Sequence, residues 1–220
     1  MRRLIIVRVL LTFSAAMLVA RQGVATTFSN AGSITINDYA AATPYPSSIL
    51  VSGLGGSIGD VNVSLNGLSH PYPSDISILL VGPSSQRLLL MSHCGDAYSA
   101  SSLNLTFDDS APSLMPVSAP LQSGSFRPSQ YFTVPTFPAP SPAGPYGTTL
   151  SVFDGSNPNG TWSLFVVDTA FLHVGLISGG WSLDLATVPE PSSLVLFGPA
   201  LMIWLVRVRG RTCRGQERLF

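Results

Sequence analysis

Period-two alternation constrains the fold of this chain more than any other feature of its sequence. Val61, Val63 and Leu65 alternate with Asn62, Ser64 and Asn66 up to Gly67, and Trp181, Leu183 and Leu185 alternate with Ser182 and Asp184. A side-chain period of two puts the apolar members on one face of an extended strand, and each stretch reads as half-buried. Residues 76–81 and 164–167 are nearly continuous apolar runs, closed by Gly82 and Pro83 and by Asp168. Runs of that length suit central strands covered on both faces. No apolar stripe of period 3.6 between the two ends of the chain is long enough for a helix. Short strands at this spacing predict an all-β sandwich or jelly roll.

Nine of the 18 prolines lie between residues 112 and 145. Proline lacks the amide donor that a sheet interior requires, so this segment is expected to be a long connection within one sandwich. Strand alternation resumes at Thr149. Asn159 and Gly160 form a pair suited to a tight turn with positive φ, and Trp162, Leu164 and Val166 after it share one strand face. Trp162 and Trp181 are expected to be the large residues of the core.

The zero formal charge conceals a segregation. All 11 basic residues are Arg, and only Arg87 and Arg127 lie between residues 26 and 187, where nine Asp leave a formal charge of −7. A surface of that sign repels nucleic acid, whose binding rests on phosphate neutralisation. Arg2 and Arg3 precede an apolar run over residues 4–20 and then Gly23, Val24 and Ala25, the layout of a secretory signal cleaved after Ala25. Near the other end, residues 194–206 form a 13-residue apolar segment followed by a basic tail, residues 207–220, with Arg207, Arg209, Arg211, Arg214 and Arg218. Positive charge so close to an apolar segment marks the cytoplasmic side, which the N-terminal arginines share. Thirteen residues of helix reach about 20 Å, short of the roughly 30 Å of a hydrocarbon core, so this transmembrane segment is suited to a temporary hold. Cys213 falls in the tail, in a reducing compartment, and is not expected to pair with Cys94.

Val188, Pro189, Glu190, Pro191, Ser192 and Ser193 stand directly before the apolar segment. That motif, followed by apolar residues and arginines, resembles the PEP-CTERM sorting signal, and the resemblance covers residues 188–220. It implies processing by an exosortase, a membrane-embedded cysteine protease or transpeptidase. It also implies a membrane-anchored precursor that becomes a cell-surface or matrix protein and ends near residues 188–191.

A second resemblance covers roughly residues 30 to 187. Asp60, Val61, Asn62, Val63 and Leu65 lead through His70 to Ser74, Asp75, Ile76, Ile78, Leu80, Gly82 and Pro83. Phe107, Asp108, Asp109, Ser110 and Ala111 follow, then Leu121, Gly124, Phe126 and Pro128. Phe153, Gly155, Asn159, Gly160, Thr161, Trp162, Leu164, Val166 and Asp168 come next, and Gly175, Trp181, Leu183 and Leu185 close the series. This order resembles the P domain, or P/Homo B domain, the β-sandwich that follows the catalytic domain of subtilisin-like proprotein convertases. The organisation expected is a signal peptide (1–25), a P-domain-like sandwich (26–187) and the sorting signal (188–220).

Nucleophilic hydrolysis needs a Ser or Cys beside an oriented base. His70, His93 and His173 are the only histidines, no Gly-x-Ser-x-Gly elbow is present, and the three are expected to be surface or loop residues without a catalytic role. Asp75, Asp108, Asp109 and Asp168 sit at strand ends or loops and offer the hard oxygen ligands of a structural Ca²⁺, against the plainer reading that they cap turns. The expectation is therefore an exported, non-catalytic structural or binding module. Exopolysaccharide or other surface proteins would be its partners and exosortase its processing enzyme. The alternative is an accessory that stabilises a secreted subtilisin-like protease in trans.

Overall fold

The computed structural model describes residues 25–133 and 135–189. The signal segment up to residue 24 and the sorting segment from Glu190 onward, with its exosortase motif, apolar stretch and arginine tail, lie outside them. Among the described residues no helix is long and apolar enough to cross a membrane.

The chain is all-β, with two sheets facing each other. Its strands are β1 (Thr26–Asn30), β2 (Ile34–Ile36), β3 (Ser47–Val51), β4 (Ser57–His70), β5 (Ile76–Val81) and β6 (Arg87–Ser92). After these come β7 (Ala100–Phe107), β8 (Gly124–Phe126), β9 (Ser129–Gln130), β10 (Gly160–Asp168), β11 (Gly175–Ile177) and β12 (Trp181–Val188). Sheet A runs β1-β12-β4-β11-β2, with β7 on the other side of β4 and β8 beyond it; sheet B runs β3-β10-β5-β6-β9. The 14-residue β4 is the spine of sheet A. Its first half pairs with β12 and its last residues with β11, while β7 lies along residues 63–70.

Alternation decides what lies between the sheets. Val61, Val63 and Leu65 of β4, Trp181, Leu183 and Leu185 of β12, and Trp162, Leu164 and Val166 of β10 join Ile76, Ile78 and Leu80 of β5 in one buried cluster. Both indoles are fully buried, with their N–H groups donating to the Pro158 carbonyl and the Ser47 hydroxyl at 3.0 Å. A buried Trp is tolerated where that donor is met.

Three expectations change in detail. Gly67 does not end a strand; it is a bulge inside β4, with φ +75°, and the β4–β7 register shifts there. The extra residue reverses the inward parity, so that Leu68 and His70 face the core after Val61, Val63 and Leu65. Of the pair Asn159-Gly160, only Gly160 takes positive φ (+130°), at the start of β10. The Asn159 side chain instead accepts from the Leu54 amide at 3.0 Å and donates to the Leu54 carbonyl at 2.8 Å, pinning a neighbouring loop. The proline-rich connection supplies β8, parallel to β7, and β9, parallel to β6, both at sheet edges, where a missing donor costs no ladder bond. It also carries Phe137 and Tyr146 across the outer face of sheet B onto Leu79, Leu89, Phe165 and Val167, a second apolar cluster. That cover is why β5 and β10 are buried on both faces.

Candidate functional site

The inner faces of β4 and β10 each end on a polar residue, and the two meet. His70 is the last residue of β4, and Asp168 is the last of β10, in step with Trp162, Leu164 and Val166. Both are buried, and His70 Nε2 lies 3.0 Å from Asp168 Oδ2. Pro71 and Pro73 follow His70 and turn the chain into a 3₁₀ turn (Pro73–Asp75) that places Asp75 beside the pair. One ligand atom each from His70, Asp75 and Asp168 fall within 4.8 Å of one another. His173, from the loop between β10 and β11, brings Nδ1 to 3.3 Å from Asp75 Oδ2.

The surroundings hold this cluster in place. His70 Nδ1 is 2.8 Å from the Tyr72 carbonyl oxygen, and the Tyr72 amide donates toward the same nitrogen at 3.2 Å. Asp168 Oδ1 accepts from the Ala170 amide at 2.9 Å. The Asp75 carbonyl accepts from the Thr169 amide (2.9 Å) and hydroxyl (3.0 Å), which locks the 3₁₀ turn to the end of β10. Burial pushes the Asp168 carboxyl above the usual carboxylate range. The Ala170 amide and His70 work against that rise, and the Asp75 charge adds to it. Both His70 ring nitrogens lie within hydrogen-bond distance of protein partners.

Outside the cluster the same end of the sandwich exposes large apolar side chains. Tyr39 and Phe171 stack with centroids 3.9 Å apart, and Tyr72 stacks on His173 at 4.3 Å and 18°. Phe171 is 63% exposed and Leu172 is 87% exposed, with Val174 beside them in sequence and exposed as well. Leu172 has φ +84°, an uncommon conformation for a side chain of that size. The His173 amide approaches Asp38 Oδ1 at 3.3 Å, tying this loop to the residues after β2.

The four carboxylates proposed from sequence as a Ca²⁺ set do not converge. Asp75 and Asp168 belong to the cluster, but Asp108 follows β7, whose first residue Ala100 is the one that pairs with His70. Eight residues of strand separate the two ends by about 26 Å. Asp108 accepts from the Ser110 amide at 2.7 Å, a local turn, and Asp109 accepts from the amides of Leu150 and Ser151 at 2.9 Å, capping the 3₁₀ turn Leu150–Phe153. These two follow the plainer reading of turn carboxylates. His70 departs from the expectation of a surface or loop residue, because the bulge at Gly67 turns it inward; His173 does lie on a loop. Cys94 is buried, its thiol pushed up to about 12 chiefly by burial, and its S–H points to the carbonyls of Ser92 and Ser129. Val188 is the last residue of β12 and pairs with Ser57, so the sandwich runs one residue further than residue 187 and ends directly against Pro189.

No family profile and no curated protein matches the sequence. Among solved structures, the chain is similar to the serine protease of Aeromonas sobria, with a TM-score of 0.38, 15% identity, and 74% of this chain covering 26% of that one. It is similar as well to a chain of the complex between that protease and the chaperone ORF2, with a TM-score of 0.40, 14% identity, and 76% of this chain covering 26% of that one. The chain spans about a quarter of the length of the solved structures it matches.

Proposed function

We propose that the protein is an exported, non-catalytic binding module of the cell surface or extracellular matrix, and that it holds polysaccharide at the aromatic end of its sandwich. The observation that supports this reading is the exposed pair Tyr39 and Phe171 with Tyr72 on His173 beside it. Clustered exposed apolar side chains mark interaction surfaces. Flat rings in water suit the C–H faces of sugar rings, and the Asp38 and Asp75 carboxylates nearby can accept sugar hydroxyls. Delivery would follow the route suggested by the two ends: export by the N-terminal signal, a hold through residues 194–206, and release by exosortase at Pro189, Glu190 and Pro191. The P-domain likeness of the motif order supports a second reading, in which the same end docks on a secreted subtilisin-like protease and stabilises it.

The test is retention of the full-length protein on matrix polysaccharide extracted from the producing bacterium. Retention should fall about tenfold, equivalent to about 1.4 kcal/mol, in the double variant Tyr39→Ala, Phe171→Ala, with an unchanged melting temperature. No retention of the unaltered protein on polysaccharide, together with co-purification of a protease that this double variant abolishes, would replace the first reading with the second.

A further inference from the structure

We propose that His70, Asp75, Asp168 and His173 form a binding site for one borderline divalent transition metal ion of the Zn²⁺ kind. The argument starts from protons. His70 Nδ1 lies 2.8 Å from the Tyr72 carbonyl oxygen, which favours a hydrogen on Nδ1, and 3.2 Å from the Tyr72 amide, which favours a lone pair there. The shorter contact selects the Nδ1–H tautomer for a metal-bound ring. In that tautomer Nε2 turns a lone pair toward Asp168 Oδ2, 3.0 Å away. A hydrogen on Nε2 or a metal ion between the two atoms satisfies this contact. An Nδ1–H held by a backbone carbonyl, with Nε2 aimed at a carboxylate cluster, is the arrangement that orients metal-binding histidines.

The dimensions and charges suit the ion. Bonds of about 2.0–2.2 Å in a tetrahedral site separate neighbouring ligand atoms by roughly 3.3 Å. The pair His70–Asp168 is at 3.0 Å and the pair Asp75–His173 is at 3.3 Å. Ligand atoms of His70, Asp75 and Asp168 lie within 4.8 Å of one another, and His173 joins them through Asp75. Asp75 and His173 are partly exposed and would close on the ion by side-chain rotation. Two carboxylates and two neutral imidazoles balance a double positive charge. Two nitrogens among four ligands favour Zn²⁺ or its neighbours over Ca²⁺, which takes six to eight oxygens. On binding, a proton on Nε2 leaves for solvent, and the ion takes its place between Nε2 and Oδ2. The side chains of His173 and Asp75, exposed by 24% and 14%, give the route in, whereas those of His70 and Asp168 are closed to solvent.

Co²⁺ and Zn²⁺ are the probes, added singly to full-length protein without a histidine tag after chelator treatment. One Co²⁺ per chain should bind, with the strong visible absorption of a four-coordinate ion, and Zn²⁺ should displace it. Zn²⁺ should also raise the melting temperature and release protons in weak buffer, whereas Ca²⁺ should not displace Co²⁺. His70 and Asp168 are buried, so their variants risk misfolding. The partly exposed Asp75→Asn and His173→Ala should keep the fold and weaken Co²⁺ affinity at least tenfold. Absence of stoichiometric binding would overturn the proposal, leaving the Nε2 hydrogen as the occupant. Co²⁺ absorption unchanged in both exposed-residue variants would also overturn it, by placing the ion elsewhere. Polysaccharide retention is scored separately on metal-stripped protein, so either reading can fail without the other.

Discussion

Gly175 shows how tightly single residues are set around the cluster. A Cβ there would lie 2.3 Å from His70 Cδ2 and 2.7 Å from the Ser69 carbonyl oxygen, so the strand β11 passes the imidazole edge only as glycine. Gly175→Ala should cost about 1–3 kcal/mol in urea unfolding, because the buried ring and its partners must shift. At the opposite end, burial and the neighbouring charges of Asp108 and Asp109 raise the pKa of Asp60, and burial with Asp60 and Asp109 raises that of Asp154. A folded pKa above the unfolded value means that the folded state binds more protons, so stability falls as pH rises through that window. At neutral pH the Asp60 charge is therefore unfavourable. Asp60→Asn should raise the melting temperature at pH 7, and the gain should vanish below about pH 3, where the carboxyl is protonated in both states. An equal gain at both pH values would show that charge is not the cause.

Among the elements, the proline-rich connection does more than link strands. Phe137 packs edge-on against Tyr146 at 5.8 Å, and Tyr45, whose hydroxyl donates to the Pro138 carbonyl at 2.9 Å, packs edge-on against Phe165 at 5.0 Å. Phe137→Ala should destabilise by about 3 kcal/mol and expose the outer face of sheet B to a hydrophobic dye. Asp109 ties the turn Leu150–Phe153 to the end of β7, and Asp109→Ala should cost about 1–2 kcal/mol, measured by denaturant midpoint at constant slope. The strands β4, β5, β10 and β12 were legible in the alternation and apolar runs. The edge strands β8 and β9 were not, because two or three residues carry no period and their pairing is set by partners far along the chain.

For the whole molecule, the sandwich closes at β12, whose last pair joins Val188 to Ser57 immediately before Pro189. Under the proposed sorting, an enzyme reading Pro189, Glu190 and Pro191 would have almost no linker between those residues and the folded domain. On the proposed route, the intact mass of the surface form should correspond to a chain starting at Thr26 and ending within residues 188–191, with β12 retained. A surface form still carrying the arginine tail would remove the sorting reading. The sandwich also separates its charges and its aromatic surface: Asp60, Asp108, Asp109 and Asp154 influence one another at one end, and the exposed rings lie at the end that holds His70 and Asp168.

By itself the sequence determined the all-β architecture, the inward faces of the long strands and the two core tryptophans, because strand parity is local and written residue by residue. It also marked Asp75 and Asp168 as residues of interest, but grouped them with Asp108 and Asp109, which a strand length separates from them. Only the tertiary structure decided that His70 is buried against Asp168. That meeting depends on one inserted residue at Gly67, which reverses the parity of β4, and on two strands from different sheets ending at the same place, and neither is visible to a reading along one segment at a time.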